Sequence, residues 1–138
     1  MKIVAVSGYF DPPHKGHIEY FKLAKQLAGK DGKLLVILNN DEQTKLKKGK
    51  PFMPLEDRKI ILESIKYIDE VFISIDKDGT VSKTLEKIKP DIFAKGGDRF
   101  SHEIPEAETC KKLGIKMVDG LGKKIQSSSD LIKGVKGE

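Results

Sequence analysis

Residues 2–38, KIVAVSGYFDPPHKGHIEYFKLAKQLAGKDGKLLVIL, decide the fold. Residues 2–6 form a short apolar run rich in β-branched residues, which predicts a strand. Over residues 17–28 the apolar residues recur at spacings of three and four, which is typical of a helix, and Gly29 is suited to end it. Residues 33–38 have the continuous apolar character of a fully buried strand. The order strand, helix, strand predicts a right-handed βαβ unit in a parallel sheet.

The remaining chain continues this alternation with different loops. Three further strands are predicted over residues 70–75, 91–94 and 115–118. Helices are predicted over residues 54–67, 80–88 and 105–113, with a final short helix capped within 127–130. Residues 39–53 are polar and rich in lysine, which predicts a connecting loop. Without a linker-like boundary or repeat, the sequence predicts one α/β domain over 1–138, a three-layer Rossmann-like sandwich with a parallel sheet of about five strands.

Length and composition exclude several classes of protein. The chain has 138 residues, of which 38% are hydrophobic, enough for one buried core without a disulfide or metal to support it. Its longest apolar run, residues 34–38, is far shorter than the ~20 residues of a membrane span. The N-terminal apolar run meets Ser7 too early for a signal peptide, and the single cysteine, Cys110, cannot form an intramolecular disulfide. We therefore expect a soluble cytoplasmic protein without a membrane partner.

The charge is modestly basic, with a formal net charge of +5. All but two of the 26 basic residues are lysines, the exceptions being Arg58 and Arg99. This excess suits a protein that handles anionic small molecules, although a solvated surface would have the same composition. No basic run is interleaved with aromatic residues, so nucleic acid is not predicted as a partner.

The strongest functional signal is the loop SGYFDPPHKGH over residues 7–17. His14 and His17 flank Gly16 directly before the first helix. Glycine lets a ligand approach the backbone closely, and a helix N-terminus offers unpaired N–H groups and partial positive charge. Imidazoles there can donate hydrogen bonds to phosphate oxygens. One histidine would be read as a turn or cap residue, but two at this spacing favour a phosphate site.

Ligands of a parallel α/β sheet bind beyond the carboxyl ends of its strands, which selects residues 7–17, 39–50, 95–102 and 119–129. Each remaining signal near these loops also has a structural interpretation. The lysines within residues 45–50 could belong to a solvated loop. Arg58, unfavourably placed in the first turn of a helix, needs a carboxylate or a phosphate as partner.

The combined motifs resemble a known family. GYFDPPHKGH over 8–17 is similar to the signature, often written HxGH, of the cytidylyltransferase-like nucleotidyltransferases. The resemblance continues through PLEDR over 54–58, KGGD over 95–98 and SSS over 127–129. It is close to glycerol-3-phosphate cytidylyltransferases and to the adenylyltransferase domain of bifunctional heptose-phosphate enzymes. It implies transfer of a nucleotidyl group from a nucleoside triphosphate to a phosphorylated acceptor, with release of pyrophosphate and usually with magnesium.

The resemblance also implies roles for single residues. His14 and His17 would contact the α-phosphate during direct in-line attack, and Lys47, as the third catalytic residue, would clamp phosphate. Arg58 would bind the acceptor. The nucleotide-binding residues would be Tyr9, Phe10, Asp11, Gly16, Lys48, Gly96, Gly97, Asp98, Ser127, Ser128 and Ser129. No cluster resembles a dedicated metal site, so Mg²⁺ is expected to arrive on the triphosphate.

Substrate identity stays open at this level. The KGGD segment favours ATP and a heptose-type acceptor, whereas residues 58–71 resemble the glycerol-3-phosphate type and favour CTP. The acceptor is expected to be a sugar or polyol phosphate, with an FAD-forming adenylyltransferase as the alternative. Tyr9 stands where these families usually carry a small residue, which leaves the acceptor undecided. A non-catalytic nucleotide sensor is the alternative from another class, and the dimers common among the resembled enzymes leave a homodimer open.

Overall fold

The computed structural model describes residues 2–96 and 105–121. The strands are β1 (Ile3–Gly8), β2 (Lys33–Leu38), β3 (Glu70–Ile73), β4 (Ile92–Gly96) and β5 (Lys116–Leu121). The helices are α1 (Lys15–Ala28), α2 (Asp41–Lys48), α3 (Leu55–Glu63), α4 (Ser82–Ile88) and α5 (Ala107–Leu113). None of the helices in these ranges has the length and apolar character needed to cross a membrane.

All strand pairs are parallel, and the sheet order is β3-β2-β1-β4-β5. The chain moves outward from β1 through β2 to β3, and then returns to place β4 on the other side of β1. The strand order therefore reverses between β1 and β4. In open parallel sheets this reversal opens a crevice at the carboxyl ends of the two strands. The predicted α/β Rossmann-like fold with five parallel strands is confirmed.

A buried apolar layer covers each face of the sheet. Successive side chains of a strand point to opposite faces, so Val4 and Val6 pack with Phe21 of α1 and Leu62 of α3. Ala5 lies in the other layer, whose helical members include Leu85 of α4 and Cys110 of α5. The helices thus lie on both faces of the sheet, and together these elements form the predicted three-layer sandwich.

The prediction of a loop over residues 39–53 is wrong, because residues 41–48 form α2. Asn40 caps this helix: its side-chain oxygen accepts from the Gln43 N–H at 2.8 Å, and the Gln43 side chain accepts from the Asn40 N–H at 3.1 Å. Gln43 is fully buried and also donates to the carbonyls of Asp78 and Thr80. Polar side chains hold α2 in place, so the helix has no apolar periodicity that would reveal it in the sequence. The Asn-x-x-Gln capping pair was the signal available.

Several predicted boundaries also shift. Helix α1 begins at Lys15 instead of 17, and α3 ends at Glu63 instead of about 67. Past Glu63 the backbone N–H groups of Ser64 and Ile65 donate to residues three positions earlier, which tightens the chain into turns. The apolar residues that extended the helical pattern, such as Ile65, still pack against the core. The predicted helix after Ser127 lies outside the described residues.

Candidate active site

The candidate site lies where the strand order reverses. Strand β1 ends at Gly8, and residues 9–14 lead from it into the N-terminus of α1. Strand β4 pairs with β1 and ends at Gly96. The first loop, the start of α1 and the end of β4 therefore share the edge of the sheet at which this fold binds ligands.

Phe10 fixes the shape of the first loop by packing its ring against α1. Its backbone has φ of 46°, and its ring is buried, 5.1 Å between centroids from Phe21 and 4.8 Å from His17. A Cβ on Gly8 would come within 2.7 Å of the Phe10 ring, so glycine is required there for this packing. Asp11 accepts hydrogen bonds from the backbone N–H groups of Phe52 and Met53 at 2.7 and 2.6 Å. Phe10 and Asp11 thus organise the loop, and their contact with nucleotide remains a prediction.

His14 and His17 form the N-terminal cap of α1. The Nδ1 atom of His14 accepts from the Gly16 N–H at 3.1 Å, and Nδ1 of His17 accepts from the His14 N–H at 3.1 Å. The two rings stack with centroids 3.7 Å apart. A neutral imidazole whose Nδ1 accepts a hydrogen bond carries its proton on Nε2. The cap therefore leaves both histidines with Nε2–H groups as donors at a helix N-terminus.

Gly16 makes room for this arrangement. A Cβ at position 16 would lie 3.1 Å from Cε1 and 3.3 Å from Nδ1 of the His14 ring. Such contacts are tight enough that the His14 ring would have to shift. The glycine between the histidines is thus explained by side-chain packing as well as by the predicted approach of a nucleotide.

The environment keeps His17 neutral. Burial, followed by the neighbouring His14, lowers the pKa of His17 from 6.5 to about 4. The first turn of α1 contains no acidic residue that would offset the positive helix terminus. At neutral pH the ring is therefore uncharged, and its Nε2–H is a hydrogen-bond donor beside the positive end of the helix dipole.

We expect the stability of the protein to fall as the pH drops from 6.5 toward 4, in part because of His17. In this window the unfolded chain binds a proton at this residue that the folded chain does not, since the pKa is about 4 in the folded state against 6.5. Urea unfolding between pH 4 and pH 7 should show a flatter profile for His17→Gln than for the wild type. Parallel profiles for the two proteins would contradict this assignment.

Helix α2 brings Lys47 to the first loop. Its Nζ lies 4.7 Å from the centroid of the Tyr9 ring, although the two residues belong to different crossover connections. Burial, followed by the charge of Glu106, raises the pKa of Tyr9, so its phenol is uncharged at neutral pH. The structure thus brings together two sequence-predicted site residues. Lys48 follows in the same helix, and the described structure does not extend to its side chain.

Arg58 is fully buried and hydrogen-bonded to protein groups. Its Nε donates to the Met53 carbonyl at 3.1 Å, and its Nη1 donates to the carbonyls of Tyr9 and Asn39 at 2.8 and 3.3 Å. Its Nη2 donates to the carboxylate of Asp41 at 2.8 Å. A guanidinium without exposed surface cannot meet a substrate. Its position therefore does not support the predicted acceptor-binding role, and the alternative of a structural carboxylate partner is observed.

Lys95 is a further residue at this edge of the sheet, and the sequence assigned it no role of its own. It lies near the end of β4, and its Nζ is 3.2 Å from the hydroxyl of Ser7 near the end of β1. The signal available was a lysine at the carboxyl end of an apolar strand, directly before two glycines. Gly96 ends β4 at the same edge. Gly97, Asp98 and the serines 127–129 lie outside the described residues, so their nucleotide-binding roles remain predictions.

Across residues 2–96 and 105–121, no three histidine, cysteine or acidic side chains are grouped to hold a metal ion. Apart from the Asp11 carboxylate, which accepts from the backbone of Phe52 and Met53, the polar groups identified at the site are imidazole N–H donors, hydroxyls and ammonium groups. Such donors suit an anionic ligand rather than a bare cation.

Comparisons with known proteins agree with this geometry. The family model described as Cytidylyltransferase-like matches residues 5–134. The FAD synthase of Methanothermus fervidus is 38% identical over 113 residues, which cover 82% of this chain and 74% of that protein. The bifunctional protein HldE of Citrobacter koseri is 36% identical over 141 residues, covering 94% of this chain and 28% of that longer protein.

A solved structure, the lipopolysaccharide core biosynthesis protein from Thermoplasma volcanium, matches with a TM-score of 0.71 and 29% identity. The match covers 86% of this chain and 95% of that one. With the family model spanning nearly the whole sequence, the chain belongs to the cytidylyltransferase-like family and is a nucleotidyltransferase.

Proposed function

We propose that this protein transfers the adenylyl group of ATP to a phosphate monoester, with a sugar or polyol phosphate as the acceptor. An oxygen of the acceptor phosphate attacks the α-phosphorus of ATP. The bond from that phosphorus to the oxygen bridging the α- and β-phosphates breaks, and pyrophosphate leaves with the electron pair. The acceptor oxygen is already a nucleophile, so no covalent intermediate with the protein is needed.

The paired histidines carry this proposal. Both present Nε2–H donors because both Nδ1 atoms accept backbone hydrogen bonds in the cap of α1. These donors lie at a helix N-terminus on the edge of the sheet where ligands of this fold bind. Donors held in place before the reaction stabilise the charge that develops on the oxygens of the transferred phosphoryl group. Lys47 adds a mobile positive charge for the triphosphate.

Magnesium fits the proposal as part of the substrate. Apart from the Asp11 carboxylate, the polar groups at the site are hydrogen-bond donors, and none of the described residues forms a cluster that would hold the ion. Mg²⁺ would therefore enter bound to the triphosphate and offset its charge. The protein groups would contact the phosphate oxygens that the ion leaves free.

The comparisons favour ATP as the donor, and they support two acceptors. FAD contains an adenylyl group, and several matching relatives are FAD synthases, which supports FMN as the second candidate acceptor. The KGGD segment over 95–98 and the match to HldE over 94% of this chain support a sugar phosphate. Both acceptors present a phosphate monoester, so the chemistry at the histidines is the same for each.

The test is a pyrophosphate-release assay with Mg²⁺ in which ATP, CTP, GTP and UTP are each paired with several acceptors. The acceptors are glycerol-3-phosphate, heptose-1-phosphate, other sugar phosphates and FMN. We expect release with ATP and one phosphorylated acceptor, and loss of that release in His17→Ala. Release with CTP instead of ATP would mean that CTP is the nucleotidyl donor. Nucleotide binding without release from any acceptor would favour a nucleotide sensor, and absence of nucleotide binding would refute the proposal.

A further inference from the structure

We propose that Tyr9 is a positioning residue for the triphosphate: its ring face holds the ammonium of Lys47 above the first loop and thereby raises triphosphate affinity. This inference rests on the proposed function. It concerns a residue at which this chain differs from the small residue usual in the resembled families. The aromatic ring at position 9 then has a partner in α2, which belongs to the next crossover connection.

The geometry is that of a cation–π contact. The Lys47 Nζ lies 4.7 Å from the Tyr9 centroid, within the range of about 6 Å over which a ring face attracts an ammonium. Lys47 is an exposed residue of the last turn of α2. An exposed lysine has many rotamers, and a ring beneath its ammonium restricts them to those that reach the first loop.

The charge of Lys47 remains available for a phosphate. Within residues 2–96 and 105–121, Lys47 has no carboxylate at salt-bridge distance. A ring face attracts the ammonium without cancelling its charge. The contact is also weak enough, at an exposed position, for a triphosphate oxygen to become the better partner.

Tyr9 and α2, the helix that carries Lys47, are both hydrogen-bonded to the buried guanidinium of Arg58. Arg58 donates to the Tyr9 carbonyl at 2.8 Å and to the carboxylate of Asp41, the first residue of α2, at 2.8 Å. Gln43, in the same helix, is tied to the carbonyls of residues 78 and 80. The backbone of Tyr9 and the helix that carries Lys47 are therefore held at a set distance from one another.

The phenol hydroxyl is not needed for this role. Burial raises the pKa of Tyr9, so the ring is uncharged at neutral pH and attracts the ammonium through its face. A phenylalanine should act in the same way, whereas an alanine should not. This difference separates the proposed role from a hydrogen bond made by the hydroxyl.

The experiment is a calorimetric titration of the full chain with MgATP, or with MgCTP if the wild type prefers it. The proteins are the wild type, Tyr9→Phe, Tyr9→Ala, Lys47→Met and the double variant Tyr9→Ala/Lys47→Met. We expect Tyr9→Ala to raise Kd by about threefold to fivefold and Tyr9→Phe to stay within about twofold of the wild type. In the Lys47→Met background, Tyr9→Ala should have no further effect, since the ring then has no ammonium to hold.

Lys66→Met is the matched control. The Lys66 Nζ lies 5.2 Å from the Tyr67 ring, a similar contact located before β3 and thus at the opposite edge of the sheet. We expect its Kd to equal that of the wild type. Unchanged melting temperatures and circular dichroism establish that the variants are folded.

Three results would overturn the inference while the wild type still binds nucleotide. The first is that Tyr9→Ala binds the nucleotide with the Kd of the wild type, and the second is that it binds more tightly. The third is that the effects of the two substitutions are independent in the double variant. Tighter binding would mean that the ring withholds the ammonium from the ligand. A wild type that binds neither MgATP nor MgCTP would instead refute the proposed function itself, so the two failures are distinguishable.

Discussion

Replacing His17 by alanine is expected to lower kcat for pyrophosphate release by about a hundredfold to a thousandfold, the typical cost of one lost donor to a developing oxyanion. In the proposed reaction the Nε2–H of His17 meets a non-bridging oxygen of the α-phosphate. That contact strengthens as the phosphorus takes on its fifth ligand. The effect should therefore be much larger on kcat than on KM for the triphosphate.

Glutamine is the structural control, because His17 also has a structural role and an amide keeps both the cap acceptor and an N–H donor. Its Nδ1 accepts the His14 N–H at 3.1 Å, and a glutamine three residues after the cap can make the same bond with its side-chain oxygen. His17→Gln should thus keep the melting temperature close to that of the wild type at neutral pH. His17→Ala would lose both the cap and the donor.

Steady-state kinetics of the wild type and of the two His17 variants test this expectation. His14→Asn is a third variant, which keeps the helix cap and removes the imidazole ring at position 14. A folded His17→Ala protein with wild-type kcat would exclude His17 from the reaction, since alanine has no side-chain N–H donor. The histidine pair would then be a helix cap and no more.

Replacing Arg58 by methionine is expected to destabilise the protein by about 3 kcal/mol or more, because it leaves buried acceptors without a donor. The carbonyls of Tyr9, Asn39 and Met53 and the carboxylate of Asp41 all accept from the guanidinium. Asp41 keeps part of its hydration, since 46% of its side chain is exposed, so most of the cost falls on the carbonyls. A melting temperature lower by roughly 10 °C would correspond to this loss.

Lys59→Met is the control on the same helix. The Lys59 ammonium is paired with Glu63 at 2.8 Å, and both side chains are well exposed, so the substitution should change stability by less than about 0.5 kcal/mol. Thermal unfolding of both variants, followed by titration with the phosphorylated acceptor that the wild type uses, tests this assignment. A normal melting temperature combined with a loss of acceptor binding in Arg58→Met would restore the acceptor-binding role.

The structural features that depend on residues close together in the sequence were largely predictable. Period-three and period-four spacing identified α1, and the apolar runs identified β1 and β2, because both patterns depend on neighbours within a few positions. The histidine pair was predicted directly before a helix, but it was interpreted as a phosphate site rather than as a cap, and the cap that both residues form is a finding of the structure. Helix α2 is the exception, because its polar residues carry no apolar stripe and its buried Gln43 is held by distant carbonyls.

The partner of Arg58 was left open by the sequence. Its unfavourable place in the first turn of a helix correctly indicated a partner, and both a carboxylate and a phosphate would satisfy that requirement. The choice depends on burial, and burial depends on elements that are far apart along the chain. The Tyr9 carbonyl that accepts from Arg58 is 49 positions away.

The sequence alone determined the alternation of strands and helices, the parallel sheet and the paired histidines before α1. Those features follow from backbone geometry and side-chain periodicity over a few residues. The tertiary structure decided that Arg58 is buried, that Lys47 lies over Tyr9 and that Lys95 reaches Ser7. Each of these contacts joins different crossovers or strands, and only the order of strands in the sheet brings such segments together.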